Sequence, residues 1–262
     1  MTTFKNFDII LQDIYKSKFG EKLMYIDIHC HMLYDTDDGP ADKNEMLRML
    51  QASYDDGVRE ICLTPHFNHS FYGNNKDKAD KALSELTDEA QERFRDMKLY
   101  RGNEIFYHSS CFEYLKTGNC SAMNDTKYIL VDFVQSENKH NIFSALKSFI
   151  SHGYIPILAH TERYSNLIPF NGDYEYIKDL GTVIQVNAAS VVGKGGFIQR
   201  FKARHLIKHN LCDVVASDSH NTTSRPTYMR QSAKFIQTRY GKTYVSKLMY
   251  DNPKSILNGT RI

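Results

Sequence analysis

Short apolar runs alternate with helical patterns along this chain, and this alternation restricts the fold more than any other feature of the sequence. Strands that alternate with helices form parallel sheets. Between the runs, apolar residues recur at helical spacing, most regularly across 76–97. The sequence therefore predicts an α/β fold with seven parallel strands. These are the runs 23–28, 58–63, the segment ending at 102, 128–134, 155–159, 183–186 and 214–216.

The seven strands are expected to form one barrel preceded by a separate N-terminal segment. No linker, internal repeat or change of composition divides residues 24–262, which favours a single domain over two. Within residues 1–23, apolar positions across 4–15 follow helical spacing and predict an amphipathic helix. This N-terminal helical extension is expected to cover the barrel floor or to dock on a partner.

Composition indicates a soluble globular protein and excludes several functional classes. Hydrophobic residues make up 41% of the chain, and no apolar run approaches the roughly 20 residues of a membrane-spanning helix. Lysine and arginine number 33 against 31 acidic residues, without a basic block, so the charge balance favours neither nucleic acid nor an anionic membrane as a partner, and direct membrane insertion is not expected. Five cysteines without a C-x-x-C pair favour a cytoplasmic location. The sequence leaves the oligomeric state open.

Polar residues that can bind metal follow almost every predicted strand. Taken singly, each has a structural explanation as a turn former, a loop residue or a helix cap. In a barrel of this type, however, the loops after the strands share one face, so the repeated placement predicts that these side chains line one bowl. The set comprises His29, His31, Asp38, His66, Glu104, His160, Asp218 and His220.

This set of five imidazoles and three carboxylates is too large for one ion, since transition ions take about four to six ligands. Shared carboxylates would allow two or three ions, and a set without thiolates favours manganese, iron or zinc over calcium. Clustered ions lower the pKa of bound water and clamp the oxygens of a phosphoryl group. Arg163 and Arg225, on loops expected above the same bowl, are candidates for binding phosphate, or else for surface salt bridges.

Short polar motifs follow the predicted strands along 24–257. They are Asp27-x-His29-x-His31, Asp37-Asp38-Gly39-Pro40, Thr64-Pro65-His66, Gly102-Asn103-Glu104-Ile105, His160-Thr161-Glu162-Arg163-Tyr164, Gln185-Val186-Asn187, Ser217-Asp218-Ser219-His220 and Arg225-Pro226. In this order, the motifs resemble those of the polymerase-and-histidinol-phosphatase (PHP) superfamily. Within it, the likeness is to the bacterial manganese-dependent protein tyrosine phosphatases of capsule and exopolysaccharide operons.

The resemblance implies a distorted (β/α)7 TIM-like barrel with three manganese ions, for which iron, zinc or magnesium are the alternatives. It implies that the eight strand-end residues are metal ligands and that Arg163 and Arg225 bind the phosphate of the substrate. Asp218 and His220 are also candidates for passing a proton to the leaving group. The implied substrate is phosphotyrosine on the tail of a membrane-associated tyrosine autokinase that controls capsule or exopolysaccharide synthesis.

Two alternatives remain open on the sequence. The same chemistry would serve histidinol phosphate or another small phosphomonoester, and a metal-free barrel would act as a binding subunit through its N-terminal helix. Phe67 and the aromatic loop 68–75 depart from the family pattern, and they bear on the choice of substrate rather than on the chemistry.

Overall fold

The computed structural model of the protein describes residues 24–262, so the helix expected within 4–15 lies outside the described residues. The strand segments of this range are β1 (Tyr25–Cys30), β2 (Val58–Leu63), β3 (His66–Phe67), β4 (Lys98–Arg101), β5 (Glu104–Phe106), β6 (Tyr128–Asp132), β7 (Ile155–Leu158), β8 (Val183–Asn187) and β9 (Val214–Ala216).

Most strands are followed by at least one helix before the next strand begins. The α-helices are α1 (Lys43–Asp55), α2 (His69–Tyr72), α3 (Lys76–Arg93), α4 (Cys111–Thr117), α5 (Lys139–Ser151), α6 (Asp173–Asp179), α7 (Ala188–Val192), α8 (Phe197–Lys208), α9 (Met229–Tyr240), α10 (Lys242–Ser246) and α11 (Asn252–Leu257). Short 3-10 helices form at Met123–Asp125 and Thr161–Arg163, and a π-helical turn forms at Lys247–Asp251. None of the helices described in residues 24–262 is long and apolar enough to cross a bilayer.

All strand pairs are parallel and together they close a seven-stranded barrel. One sheet has the order β1-β2-β4, and the other has the order β3-β5-β6-β7-β8-β9. β2 and β3 are two pieces of one strand broken at 64–65, and β4 and β5 are two pieces of the next strand broken at 102–103. A parallel bridge between Cys30 and Ser219 joins the first strand to the last. The expected distorted TIM-like barrel is confirmed.

The two strand breaks have a chemical cause and a consequence for the site. Pro65 has no amide hydrogen to donate to a ladder, and its carbonyl accepts a hydrogen bond from the Asn103 side chain at 3.0 Å. An added Cβ at Gly102 would lie 2.9 Å from the sulfur of Cys62, which leaves room there only for glycine. Beyond the breaks, the strands pair with His66 directly opposite Glu104.

Side chains of the strands alternate between two apolar layers. In β6, Ile129 and Val131 belong to the layer between strands and helices, whereas Leu130 belongs to a second cluster that includes Val214 and Ala216 of β9. This is the alternation that a pleated strand imposes. The first layer anchors the helices, and the second fills the barrel below the polar strand ends.

The longer helices agree with the sequence pattern except at their ends. Asp42 caps α1 by accepting a hydrogen bond from the amide of Glu45 at 2.9 Å, as the capping pattern predicts. The helix expected over 76–97 ends earlier, at Arg93, because Phe94 leaves the helical conformation before β4. The loop expected after β3 contains the short helix α2.

Candidate metal centre

Glu104, at the start of β5, lies at the centre of a side-chain cluster at the carboxyl ends of the strands. One carboxylate oxygen lies 2.9 Å from Nε2 of His160 and 3.3 Å from Nε2 of His29. The other lies 2.9 Å from Nδ1 of His66 and 3.2 Å from Nε2 of His31. The side chain of Glu104 is fully buried. A single carboxylate therefore contacts four imidazoles that come from three other strand ends.

A second group of ligand atoms overlaps the first and is more open to solvent. Asp38 lies 3.2 Å from Nε2 of His220 and 3.5 Å from Nε2 of His66. The rings of His31 and His220 stack with their centroids 3.9 Å apart. One nitrogen or oxygen from each of these four residues lies within 4.8 Å of the others, a spacing that suits a metal ion.

Asp218, two residues beyond β9, joins the two groups. One of its carboxylate oxygens is 3.5 Å from Nε2 of His29 and 3.6 Å from Nε2 of His31. The same oxygen lies 3.6 Å from Nδ1 of His220. The Nε2 atoms of His29 and His31 are themselves only 3.1 Å apart. The structure thus brings all eight ligand candidates from the sequence into one cluster.

Both candidate arginines reach this cluster from its edge. A guanidinium nitrogen of Arg163 lies 2.9 Å from Asp218. Arg225 contacts the same carboxylate at 3.1 Å and Asp38 at 3.3 Å. Their side chains are only partly exposed, and they pair with carboxylates of the cluster rather than with surface acids. This arrangement places two positive charges where a dianion could enter.

Buried polar side chains behind the cluster orient its imidazoles. Asp37 lies 2.7 Å from Nδ1 of His31 and also accepts a hydrogen bond from the amide of His66. The side-chain oxygen of Gln185 lies 3.1 Å from Nδ1 of His29 and accepts a hydrogen bond from the amide of His160. A bond to Nδ1 leaves the Nε2 lone pair free to face the cluster, which is the usual arrangement around a metal ion.

Asp132, at the end of β6, belongs to the cluster although the sequence argument missed it. Its carboxylate lies 3.6 Å from Nε2 of His160 and accepts a hydrogen bond from the Tyr164 hydroxyl at 3.0 Å. It also forms a compact ligand group with His66 and Glu104. The strand predicted over 128–134 ends in the structure at Asp132, so this residue occupies a strand end as the other candidates do.

Alternation along a regular strand would place Asp27 on the same face as His29 and His31, but β1 is irregular at this point. The register between β1 and β2 shifts so that Asp27 pairs with Ile61 and Cys30 pairs with Leu63. Three steps along β1 therefore match two steps along β2, as in a β-bulge. Asp27 instead accepts a hydrogen bond from the amide of Ser217 at 3.0 Å, which ties β1 to the residue after β9.

Burial and mutual charge shift the pKa values of the cluster in opposite directions. Burial would raise the pKa of Glu104, but the imidazoles of His29 and His66 hold it well below its usual value. Burial would lower the pKa of His29, but Glu104 and Asp218 raise it to about 9. Burial and then His31 lower the pKa of His220 to about 4. The cluster therefore combines carboxylates held ionised with imidazoles of contrasting basicity.

Two members of the cluster adopt left-handed backbone conformations. His160 has φ 30° and Asp218 has φ 53°. Such conformations cost about 1–3 kcal/mol each for a residue other than glycine, and they concentrate at functional sites. The amide of Asp218 donates to the carbonyl of His29 at 2.8 Å, which helps to hold this conformation.

The donor set fits divalent transition ions. Within residues 24–262, buried Oε2 of Glu104 and Nε2 of His220 lie close to imidazole or carboxylate groups but make no hydrogen bond of good geometry, and Nδ1 of His160 makes none either. Buried polar groups are normally paired, so atoms left unpaired beside converging imidazoles and carboxylates need another partner. Nitrogen and oxygen donors without thiolates suit manganese, iron or zinc.

Comparison with known proteins agrees with this site. The model of the capsular polysaccharide synthesis family CpsB/CapC matches residues 25–258. The chain belongs to the CpsB/CapC family. The tyrosine-protein phosphatase CpsB of Streptococcus agalactiae serotype III is 33% identical over 237 residues, covering 88% of this chain and 98% of that protein. A putative tyrosine-protein phosphatase CapC of Staphylococcus aureus is 32% identical and covers 90% of this chain and 92% of its own length.

Solved structures extend the comparison of this CpsB/CapC chain to three dimensions. A crystal structure from work on YwqE of Bacillus subtilis and CpsB of Streptococcus pneumoniae, described as metal-dependent tyrosine phosphatases, superposes with a TM-score of 0.82 at 27% identity. The superposition covers 90% of this chain and 96% of the solved chain. A phosphotriesterase homology protein of Escherichia coli, at 12% identity and a TM-score of 0.56, shares the fold alone. The family resemblance drawn from the sequence motifs is confirmed.

Removal of metal is expected to lower the thermal stability of the protein. An ion that binds only the folded state stabilises it by about 2.7 kcal/mol at a concentration 100 times its Kd. Adding manganese to chelator-treated protein should therefore raise the Tm measured by calorimetry. Glu104→Gln should remove most of that rise, because Glu104 contacts four imidazoles. The exposed Glu92→Gln is the control, and an unchanged Tm of the natural chain on adding manganese would contradict this expectation.

Proposed function

We propose that this chain is a metal-dependent phosphatase that hydrolyses phosphotyrosine in proteins. The observation that carries the proposal is the cluster around Glu104, because it joins a metal-binding donor set to two arginines in one site. This combination suits a phosphate dianion better than a neutral substrate. The CpsB/CapC relatives that are named tyrosine-protein phosphatases support the same activity.

Three overlapping ligand sets support a centre of three ions, for which we propose manganese. When bound, such ions would supply water of lowered pKa and positive charge for the phosphoryl oxygens. The first set is His29, His31 and Glu104, the second is His31, Asp38, His66 and His220, and the third is His66, Glu104 and Asp132. His160 contacts members of the first and third sets, and Asp218 contacts members of the first and second, so both would complete them.

Arg163 and Arg225 would bind the phosphoryl oxygens, since a guanidinium can donate two parallel hydrogen bonds to a phosphate. In the structure both arginines contact Asp218, so an incoming phosphate would compete for groups that are already in place. We propose that Asp218 and His220 relay a proton from water to the leaving tyrosyl oxygen, because the pKa of each lies below neutral pH and neither holds a proton of its own. A phenol with a pKa of about 10 is a good leaving group, so this transfer would assist rather than dominate the reaction.

A cavity beside the cluster supports a protein substrate over a small phosphate ester. Its volume is about 290 Å³, and it lies between the loops that follow β3 and β5. Phe67 and Phe106 line it, one directly after His66 and the other two residues after Glu104. Tyr114 adds a third aromatic wall. Such a cavity could take an apolar side chain that flanks the phosphotyrosine, which histidinol phosphate does not offer.

The cellular setting follows from the same proposal. We propose that residues 24–262 form the phosphatase domain and that the protein acts in the cytoplasm on the tail of a tyrosine autokinase for capsule synthesis. All five cysteines are buried and unpaired, which fits a reducing compartment. The match to the capsular polysaccharide synthesis family supports the pathway.

Steady-state kinetics on a phosphotyrosine peptide and on histidinol phosphate test the activity. Turnover of the peptide should require manganese and stop in chelator. Arg225→Lys and Arg163→Lys should each lower kcat/KM by about 10- to 100-fold, because hydrogen bonds to charged groups contribute about 1.5–3 kcal/mol. The exposed Arg95→Lys should have no effect. Full activity in chelator, or a strong preference for histidinol phosphate, would contradict the proposal.

Filling the cavity tests the preference for protein substrates. Ser110 lines the cavity, whereas Thr117 is exposed at the far end of the same helix α4. Ser110→Phe should lower kcat/KM for a peptide with an apolar residue next to the phosphotyrosine, while leaving p-nitrophenyl phosphate hydrolysis unchanged. Thr117→Phe should change neither rate. Equal loss on both substrates in Ser110→Phe would argue that the cavity plays no part in peptide binding.

A further inference from the structure

Five large apolar side chains protrude together on one side of the protein. On α8, Phe197 is 73% exposed and Ile198 is 68% exposed, and Phe201 is partly exposed one turn further along. In the preceding loop, Phe170 is 71% exposed and Ile168 is 49% exposed. The rings of Phe170 and Phe201 lie 5.9 Å apart, so the two segments form one patch. Contiguous exposed apolar patches of this kind mark interaction sites.

The patch rests on well-packed structure. The opposite face of α8 buries Ala203, Leu206 and Ile207. The buried ammonium of Lys202 donates to the carbonyls of Tyr164 and Leu167 at 2.6 and 2.9 Å, which ties α8 to the loop that carries Phe170. The protruding side chains are therefore presented by a fixed scaffold.

Three arginines lie beside the patch without a carboxylate partner. The guanidinium of Arg200 lies 5.5 Å from the ring of Phe197, and those of Arg204 and Arg239 lie 4.0 and 4.9 Å from the ring of Phe235. No carboxylate of residues 24–262 forms an ion pair with these guanidinium groups, and the sequence has no acidic residue in 180–212. Burial, then Arg200 and Arg239, lower the pKa of Arg204, so the three cations repel one another.

Arginines beside protruding apolar side chains are typical of a surface that binds an anionic membrane. Helices that lie in a membrane interface present aromatic and aliphatic residues beside lysine or arginine, and anionic lipids attract the cations. Side chains such as Phe197 that are about 70% exposed stand out from the surface and could enter the region between headgroups and acyl chains. Arginines that lack a carboxylate partner would meet phosphate headgroups there.

We propose that these residues form a docking surface for an anionic lipid bilayer, here called the α8 surface: Ile168, Phe170, Phe197, Ile198, Phe201, Arg200, Arg204 and Arg239. Lys202 of α8 donates to the carbonyl of Tyr164, the residue after Arg163, so the helix lies next to the segment that carries Arg163 at the edge of the metal cluster. Docking would hold the metal cluster near the bilayer and favour hydrolysis of phosphotyrosine in segments that lie at the membrane. Membrane binding itself does not depend on the proposed reaction.

Sedimentation of the full chain with lipid vesicles tests the α8 surface. The protein should sediment with vesicles of phosphatidylcholine and phosphatidylglycerol but not with phosphatidylcholine alone. Binding should weaken as salt rises from about 0.1 to 1 M, because the Debye length falls from about 10 to 3 Å. Arg200→Gln should weaken binding about fivefold, the effect of about 1 kcal/mol per cation near an anionic surface. The double variant Phe197→Ser with Ile198→Ser should abolish it.

Matched variants separate this surface from a general effect of charge or apolar exposure. Phe71 is 77% exposed at another site, and Phe71→Ser should bind vesicles like the natural chain. Arg95→Gln removes one exposed positive charge elsewhere and should also have no effect. Hydrolysis of p-nitrophenyl phosphate by the Phe197 and Ile198 variant should be unchanged, which would show that the variant is folded.

Several outcomes would overturn the proposal. Failure of the natural chain to sediment with anionic vesicles would do so, as would equal binding by the double variant. A dimer in size-exclusion chromatography that dissociates in the double variant, without vesicle binding, would assign the surface to a second copy of the chain instead. Binding to a phosphotyrosine protein that requires the α8 surface in the absence of lipid would assign it to a protein partner.

Discussion

The contact of one buried carboxylate with four imidazoles is the interaction on which the site depends. The Glu104 carboxylate is fully buried, so water does not solvate its charge. Its four histidine neighbours come from strand ends that are far apart in the chain. Burying such groups is costly unless each is paired or bound to a cation. The closed barrel provides the pairing geometry, because it brings the carboxyl ends of all its strands to one rim.

The fold departs from regular geometry where the cluster requires it. The break at Pro65 and the break at Gly102 interrupt two strands, and beyond them His66 stands opposite Glu104. His160 and Asp218 adopt left-handed conformations that regular strands would not allow. Local rules are broken in real proteins mainly at functional sites, where the surrounding structure holds the strain. Here the apolar layers below the rim provide that support.

The sequence predicted the barrel and the eight ligand candidates because one topological rule covers them all. In a parallel barrel, every strand end reaches the same rim, so polar residues after apolar runs share a site without any knowledge of pairing. Asp132 was missed because the fourth apolar run was extended to 134, which hid its polar end. The irregularity beside Asp27 could not be predicted, because a β-bulge arises from the register between β1 and β2, which no single strand reveals.

The surface formed around α8 shows what local patterns cannot supply. Arg239 meets Arg204 through the ring of Phe235, and these side chains come from two helices that are separated in sequence. Exposure of Phe197 and Ile198 is likewise set by which face of α8 packs on the barrel. Helical spacing shows which face of a helix is buried only when the other face is polar. Apolar residues occupy both faces of α8, so its sequence does not show which face packs on the barrel.

Anomalous diffraction from crystals grown with manganese would show whether ions bind within the cluster around Glu104. We expect anomalous peaks there, with the first between Glu104 and the Nε2 atoms of His29 and His31, and another among Asp38, His66 and His220. Absence of any peak within this cluster, in crystals of protein that contains manganese by elemental analysis, would contradict this expectation.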